Sequence, residues 1–148
     1  QVMEELTMNN RDVGPNPYVF DIEELTLANE NFRTAVWTGQ QFQMTLMTIP
    51  VGGEVGLEVH DDTDQFLRIE QGSAKVLMGP SADDLSQEWE AKDDWAMFIP
   101  TGTWHNIINT GDEPLKMYSI YAPPHHPHGT IHTTFADAQA AEASESIE

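Results

Sequence analysis

Two pairs of residues in the middle of the chain carry side chains that could bind a metal ion. Glu58 and His60 are two residues apart in the alternating segment 55–60, so both leave the same face of an extended chain. The opposite parity of this segment is apolar, which predicts that its far side is packed. Burying a carboxylate and an imidazole without partners is costly. A divalent ion would neutralise the carboxylate and bind the imidazole lone pair.

Gln65 and His105 form the second pair. Gln65 follows His60 by five residues and begins the next predicted strand, and His105 follows a tight turn at 100–102. Either side chain could reach the level of Glu58 from a neighbouring strand. We therefore predict a metal site of Glu58, His60, Gln65 and His105, in which Glu58 is also a catalytic candidate. The alternative is a metal-free interior in which Glu58 and His60 bond to each other or to water.

A histidine-rich segment lies further along the chain, at 121–132. It contains four of the six histidines, separated by prolines that forbid regular structure: His125, His126, His128 and His132. Three interpretations compete. The segment could be a Pro-rich crossover with solvated histidines, or a rim loop that lends one histidine, for which we choose His128, as general acid or base. A separate second metal site is the third.

The elements that must position these residues are short strands separated by turns. Period-two alternation bounded by Pro and Gly predicts strands at 42–49, 55–60, 66–70, 73–78, 95–99, 104–109 and 115–121. Helix is predicted only at 135–143, with Thr134 as N-cap. We expect Trp95, Phe98, Trp104 and Ile107 to lie in the core. The pattern is typical of an antiparallel barrel or sandwich.

Composition restricts the class of protein. The 148 residues include 39% hydrophobic residues, enough for one core, and carry a formal net charge of −19. This acidity argues against nucleic-acid partners and against docking on anionic membranes. Because there is no cysteine, disulfides, thiol catalysis and Cys-based zinc sites are excluded. Without a long apolar run or a visible signal peptide, we expect a soluble, cytoplasmic protein.

The spacing of these residues resembles the two motifs of the cupin family. In the first motif the chain has Gly52, Glu58, His60, Gln65 and Gly72 at the family's intervals. The second motif is matched by residues at the family's positions for proline, glycine, histidine and asparagine: Pro100, Gly102, His105 and Asn109. Three positions depart from the pattern, because Asp94 replaces a glycine, Glu58 a histidine and Gln65 a glutamate.

The resemblance covers roughly residues 44–121 and implies an all-β cupin jelly-roll β-barrel with a short C-terminal helix. We expect residues 1–148 to form a single cupin domain, with a barrel core at about 30–122, a loose N-terminus at 1–12 and an acidic tail at 144–148. The resemblance also implies one divalent metal ion (Mn, Fe, Ni or Zn) and a homodimer. Similar small bacterial cupins are often labelled mannose-6-phosphate isomerase-like.

Three functions are compatible with these observations. The first is a metal-dependent enzyme acting on a small carbonyl or sugar-like substrate, of the isomerase or lyase type, with a dioxygenase as its alternative. The second is a non-catalytic cupin that binds a small molecule. The third is a structural or storage role with an occluded lumen. Since cupins host many chemistries, the resemblance alone does not choose among them.

Overall fold

The computed structural model describes residues 11–147, and the side chains of residues 11–143. Most of the predicted loose segment 1–12 lies outside the described residues. Its last residue, Asp12, is buried, and its carboxylate accepts hydrogen bonds from the backbone amides of Gly14 at 3.0 Å, Thr38 at 2.8 Å and Gly129 at 3.1 Å. These contacts fasten the start of the described chain. In the predicted tail 144–148, the backbone is helical through Ile147, and Glu148 lies outside the described residues.

Within residues 11–147 the strands form two antiparallel sheets. The strands are β1 (Arg33–Thr38), β2 (Gln43–Ile49), β3 (Asp64–Gln71), β4 (Ser73–Gly79), β5 (Gln87–Lys92), β6 (Ala96–Ile99), β7 (Trp104–Asn109), β8 (Leu115–Ala122) and β9 (Ile131–His132). The larger sheet has the order β6-β3-β8-β2-β1-β9, and the smaller sheet has the order β5-β4-β7. The expected all-β jelly roll is confirmed.

The larger sheet is buried on both faces around strand β2. Its inner face packs against the smaller sheet through the main core, which includes Met47, Leu67, Val76 and Ile107. Over β1 and β2 its outer face is covered by helix α1 (Ile22–Ala28), which buries Leu25 against Val36, Met44 and Leu46. Strand β2 is consequently buried along its whole length, as a strand between two apolar layers must be.

The segment 55–60 departs from the predicted regular strand. The chain here forms only isolated bridges with β7. Glu54, just before the segment, bridges to Ile108, and Glu58 within it bridges to His105. Gly56 has φ +103°, a conformation that side chains rarely adopt, and it breaks the alternation. As a result Val55 enters the core, whereas Leu57 is 45% exposed.

The C-terminal helix confirms the sequence prediction and extends it. Helix α2 (Phe135–Ile147) begins after Thr134, whose hydroxyl accepts a hydrogen bond from the Asp137 amide at 3.0 Å. Ala138 is fully buried, and the Phe135 ring packs edge-on against Phe32. The helix therefore closes one side of the barrel. None of the helices in the described part of the chain is long and apolar enough to cross a membrane.

Two of the four expected core aromatic or aliphatic residues lie at the surface instead. Trp95 is 45% exposed and Phe98 is 76% exposed, whereas Ile107 is buried and Trp104 is partly buried. Trp95, Phe98 and Trp89 line a groove of about 380 Å³ beside β5 and β6, the edge strands of the two sheets. Apolar residues on an edge strand alternate along the sequence in the same way as core residues. The sequence pattern therefore cannot distinguish an exposed apolar residue at the edge from a buried one in the core.

Candidate metal centre

The backbone around Glu58 brings the two sequence motifs together. The Glu58 amide donates to the His105 carbonyl, and the His105 amide donates to the Glu58 carbonyl, both at 3.0 Å. Directly paired residues on antiparallel chains project their side chains to the same side. The Gly102 amide also donates to the His60 carbonyl at 2.8 Å, so the turn of the second motif is tied to the strand segment of the first.

Three of the predicted ligands converge. Glu58 Oε1 lies 3.5 Å from His60 Nε2 and 3.6 Å from His105 Nε2, and each residue offers a ligand atom within 4.8 Å of the others. These separations exceed an ordinary hydrogen bond of about 2.7–3.2 Å. All three atoms are buried without a hydrogen-bond partner among the described residues. Because buried polar atoms are nearly always satisfied, the trio fits a cation placed between its members.

The tautomer of His105 suits this role. Its Nδ1 lies 3.0 Å from the Thr103 carbonyl oxygen, which only accepts, so Nδ1 must carry the proton. Nε2 then has a free lone pair directed away from the backbone. A backbone partner on one ring nitrogen is a common way for proteins to orient a metal-binding histidine.

Gln65 lies in the same interior. It is buried on β3, where it pairs with Tyr121 of β8, and the Tyr121 ring contacts His60 at a centroid distance of 5.8 Å. Its Nε2 donates to Ser119 Oγ at 2.8 Å, while Oε1 is buried without a partner. The amide is thus oriented by Ser119, with its acceptor oxygen left free.

The charge state of Glu58 favours a cation. Burial alone raises the pKa of this carboxyl, but the neighbouring His105 and His60 and the charge of Arg33 outweigh burial and hold the pKa far below its usual range. Glu58 is therefore ionised at neutral pH. One carboxylate and two imidazoles form a cluster that could hold a metal ion.

The histidine-rich segment reaches the site through His125 rather than His128. The exposed His125 ring packs on His60 at 4.2 Å and on Tyr121 at 5.6 Å between ring centroids. Partial desolvation and the neighbouring His60 lower the pKa of His125. His128 instead lies 2.8 Å from the Gly14 carbonyl and 3.4 Å from Asp12, so the structure does not bring it to the trio.

Two further interior residues were not singled out from the sequence. Arg33 on β1 and Tyr121 on β8 are fully buried, and both interact with the site electrostatically or by contact. Tyr121 lies in a predicted strand, but nothing in the alternation of that strand indicates that Tyr121 has a polar role. Arg33 lies outside every predicted strand, and an isolated arginine ordinarily indicates surface. Arg68 on β3, by contrast, pairs with Glu70 at 2.6 Å and with Asp94 at 2.9 Å.

The remaining motif positions have structural roles. Gly52, Gly72 and Gly102 all have positive φ, and so does Asp94, with φ +75° at the position where the family has glycine. Asn109 donates to the carbonyls of Ile49, Pro50 and Glu113 and accepts from the Gly111 amide, all within 3.2 Å. These residues shape the turns that hold the ligands.

Comparison with known proteins agrees with this geometry. The model of the Cupin_2 family, described as a cupin domain, matches residues 45–121. The uncharacterized protein YrkC of Bacillus subtilis (strain 168) is 57% identical over 132 residues, which is 89% of this chain and 71% of that protein. The uncharacterized protein L612 of Acanthamoeba polyphaga mimivirus is 38% identical over 115 residues, 77% of this chain and 70% of that protein.

A solved structure is also similar. The crystal structure of BH2720 from Bacillus halodurans has a TM-score of 0.87 and 55% sequence identity. The alignment covers 88% of this chain and 98% of that chain. The likeness therefore extends beyond the two motifs to the surrounding strands.

Proposed function

The chain belongs to the cupin family, and on that premise we propose that it is a metal-dependent enzyme acting on a small carbonyl or sugar-like substrate. We propose that residues 1–148 form one cupin domain with its barrel core at about 30–122. Glu58, His60 and His105 would hold one divalent ion, and Gln65 would add a weaker fourth donor. The observation that carries this proposal is the set of buried donor atoms without partners at these four residues.

The proposed reaction is of the isomerase or lyase type. Held by these residues, the ion would supply Lewis-acid chemistry toward a carbonyl or hydroxyl oxygen of the substrate. A neutral amide in place of a carboxylate reduces the charge of the donor set, which favours this chemistry over oxygen activation.

Two residues of the chain are placed to move protons. Glu58 is ionised, and its carboxylate is the only acidic group among the three clustered residues. His125 packs on His60 while its ring remains exposed to solvent, so it can exchange protons between the site and water. We propose His125 in the role that the sequence assigned to His128.

A homodimer is part of the proposal. Helix α1 already covers the outer face of the larger sheet around β1 and β2, so this part of the face is not free for a partner. The groove at the edge strands β5 and β6 carries exposed Trp89, Trp95 and Phe98. Exposed apolar patches on edge strands favour association, and we propose this groove as the contact between two copies.

The metal proposal is tested by elemental analysis of protein purified without chelator. We expect one equivalent of Mn, Fe, Ni or Zn per chain, lost in Glu58→Ala and in His105→Ala. The matched control is His128→Ala, which changes an exposed histidine that contacts the Gly14 carbonyl. This variant should keep its metal. Protein that stays metal-free after reconstitution with each of the four ions would overturn the enzyme proposal as stated.

Turnover assays on the metal-loaded protein separate the alternatives. Conversion of a hydroxy-carbonyl substrate without oxygen consumption supports the isomerase or lyase type. Oxygen uptake coupled to substrate loss would identify a dioxygenase instead. Saturable binding without turnover by either measure would identify a non-catalytic binding cupin.

A further inference from the structure

A buried positive charge lies on the inner face of the larger sheet. Arg33 begins β1, and its side chain is only 1% exposed. Its guanidinium also packs over the Phe32 ring at 5.2 Å, which removes water from one side of the group. An arginine does not lose its charge in a protein, so a buried guanidinium requires anionic or acceptor partners.

The partners of Arg33 are incomplete. Its Nη1 lies 3.1 Å from His132 Nδ1, a neutral acceptor, and 3.4 Å from Glu142 Oε2 on α2. This carboxylate is at the outer limit of a hydrogen bond and contacts only one guanidinium nitrogen. Arg33 Nε is buried without a partner among the described residues. The two-point pairing that guanidinium and carboxylate groups favour is therefore absent here.

Other unsatisfied atoms lie on the same inner face. Thr45 Oγ1 and His126 Nδ1 are buried without partners. Thr45 pairs with Ala35, two residues beyond Arg33 and so on the same side of the sheet. His126 packs on Tyr121 and on His132, the residue that Arg33 contacts. Arg33 Nε, Thr45 Oγ1 and His126 Nδ1 are thus three buried hydrogen-bonding atoms that the described residues leave unsatisfied, and the charge of Arg33 acts on His126.

Arg33 is coupled to the candidate metal centre. The fully buried Tyr121 hydroxyl interacts with Arg33, and the Tyr121 ring contacts His60. A molecule in the barrel interior would therefore meet the candidate metal ligands on one side and a cation with an unpartnered Nε donor on the other. The net charge of −19 makes this interior cation stand out, because most of the molecule repels anions.

We propose that Arg33 binds the carboxylate of a small substrate, with Thr45 and His126 as flanking hydrogen-bonding groups. The substrate class is then a small carboxylic acid whose second oxygen function, a carbonyl or hydroxyl, faces Glu58, His60 and His105. This inference rests on the proposed function for the second contact, but not for the first. The carboxylate contact uses Arg33, Thr45 and His126 and needs no metal ion.

Calorimetric titration tests the proposal with pyruvate and its neutral amide, pyruvamide, on metal-free and metal-loaded protein. We expect pyruvate to bind more tightly than pyruvamide. Arg33→Met should weaken pyruvate binding by about ten- to hundredfold, as loss of a charge-assisted pair does, and leave pyruvamide binding unchanged. Arg68→Met removes the arginine that pairs with Glu70 and Asp94, and serves as the matched control. It should bind pyruvate like the wild type.

A second variant keeps the test decisive if Arg33→Met does not fold. Glu142 is partly exposed on α2 and competes for the same guanidinium. Glu142→Gln should therefore tighten pyruvate binding severalfold, the opposite direction to Arg33→Met.

The outcomes separate this inference from the proposed function. Equal binding of pyruvate and pyruvamide, or unchanged pyruvate binding in both Arg33→Met and Glu142→Gln, overturns the role of Arg33 even if one metal ion binds per chain. Pyruvate binding that depends on Arg33 in a protein that takes up no metal supports this inference while the metal proposal fails.

Discussion

Glu58 and Gln65 show how two substitutions can keep one charge in the site. The resembled motif places a histidine at the position of Glu58 and a glutamate at that of Gln65, so the carboxylate has moved from one donor position to the other. The structure brings Glu58 between two imidazoles and orients the Gln65 amide through Ser119. The retained negative charge is what keeps a divalent ion compatible with the site.

Asp94 is a departure with a backbone explanation. Its φ of +75° is in the left-handed region, which explains why glycine is usual at this motif position. Among the other residues, aspartate and asparagine tolerate this region best, because their short side chains bond locally. Asp94 also pairs with Arg68 at 2.9 Å, a contact that glycine would not make.

His126 provides a prediction for the pH dependence of stability. Burial, followed by the charge of Arg33, lowers the pKa of His126 from 6.5 to about 2. Between these values the unfolded chain binds a proton that the folded chain does not, so the free energy of unfolding falls as the pH drops below 6.5. His126→Phe should remove this part of the slope, and at pH 5 the wild type should have lost about 2 kcal/mol more than the variant.

Chemical denaturation at pH 7.5, 6 and 5 measures the effect of His126. These pH values lie above the ordinary pKa of carboxyl groups, so protonation of Asp and Glu contributes little to the change in the free energy of unfolding. Above pH 7 the two curves should run parallel. Parallel curves down to pH 5 would show that His126 is not held neutral by burial.

At the scale of elements, irregular segments and turns between the strands position the residues of the two sequence motifs. Regular strands supply the inner face, but Glu58 and His105 meet only because a glycine-containing segment crosses β7 through isolated bridges. The tight turn at 100–102 then fixes the level of His105 against His60. The position of the candidate ligands thus depends on irregular backbone more than on the sheets themselves.

Asn109 tests the importance of these turns. It is 3% exposed, and its amide bonds the ends of β2 and the turn before β8. Asn109→Ala removes the side-chain bonds to the carbonyls of Ile49 and Glu113 and the acceptor of the Gly111 amide, and it should lower the free energy of unfolding by about 3 kcal/mol. Urea denaturation measures the loss. Asn16→Ala, which removes one bond of an exposed asparagine, should cost far less; equal losses would contradict the assignment.

At the scale of the whole molecule, charge and apolar surface act in opposite directions. A net charge of −19 makes two copies repel, while the groove at β5 and β6 favours their contact. Repulsion between exposed charges is screened over about 10 Å at 0.1 M salt, whereas apolar contact is not weakened by salt. We therefore expect the dimer fraction to rise with salt concentration.

Sedimentation velocity at low and high salt measures this dimer. Phe98→Ser, which removes the most exposed of the groove's three large aromatic residues, should shift the protein toward monomer at both salt concentrations. Val51→Ser changes a similarly exposed apolar residue outside the groove lining and serves as control. A dimer that is insensitive to Phe98→Ser would place the interface elsewhere.

Part of this architecture was predictable because it depends on local spacing. Alternation and turn residues predicted the central strands, and the N-cap at Thr134 predicted the C-terminal helix. Strand β5 was missed because nearly all of its residues are exposed, so it shows no apolar alternation. Helix α1 was missed because seven residues are too few for a clear helical period.

The sequence by itself determined the residue types, the motif spacing and the membership of a β-barrel family, since these follow from order along the chain. Only the tertiary structure decided that His125, rather than His128, packs on His60, and that Arg33 is buried in the interior. The physical reason is that both outcomes depend on contacts between residues far apart in sequence. Arg33 meets His132 and Glu142, about a hundred positions away, once the barrel has closed.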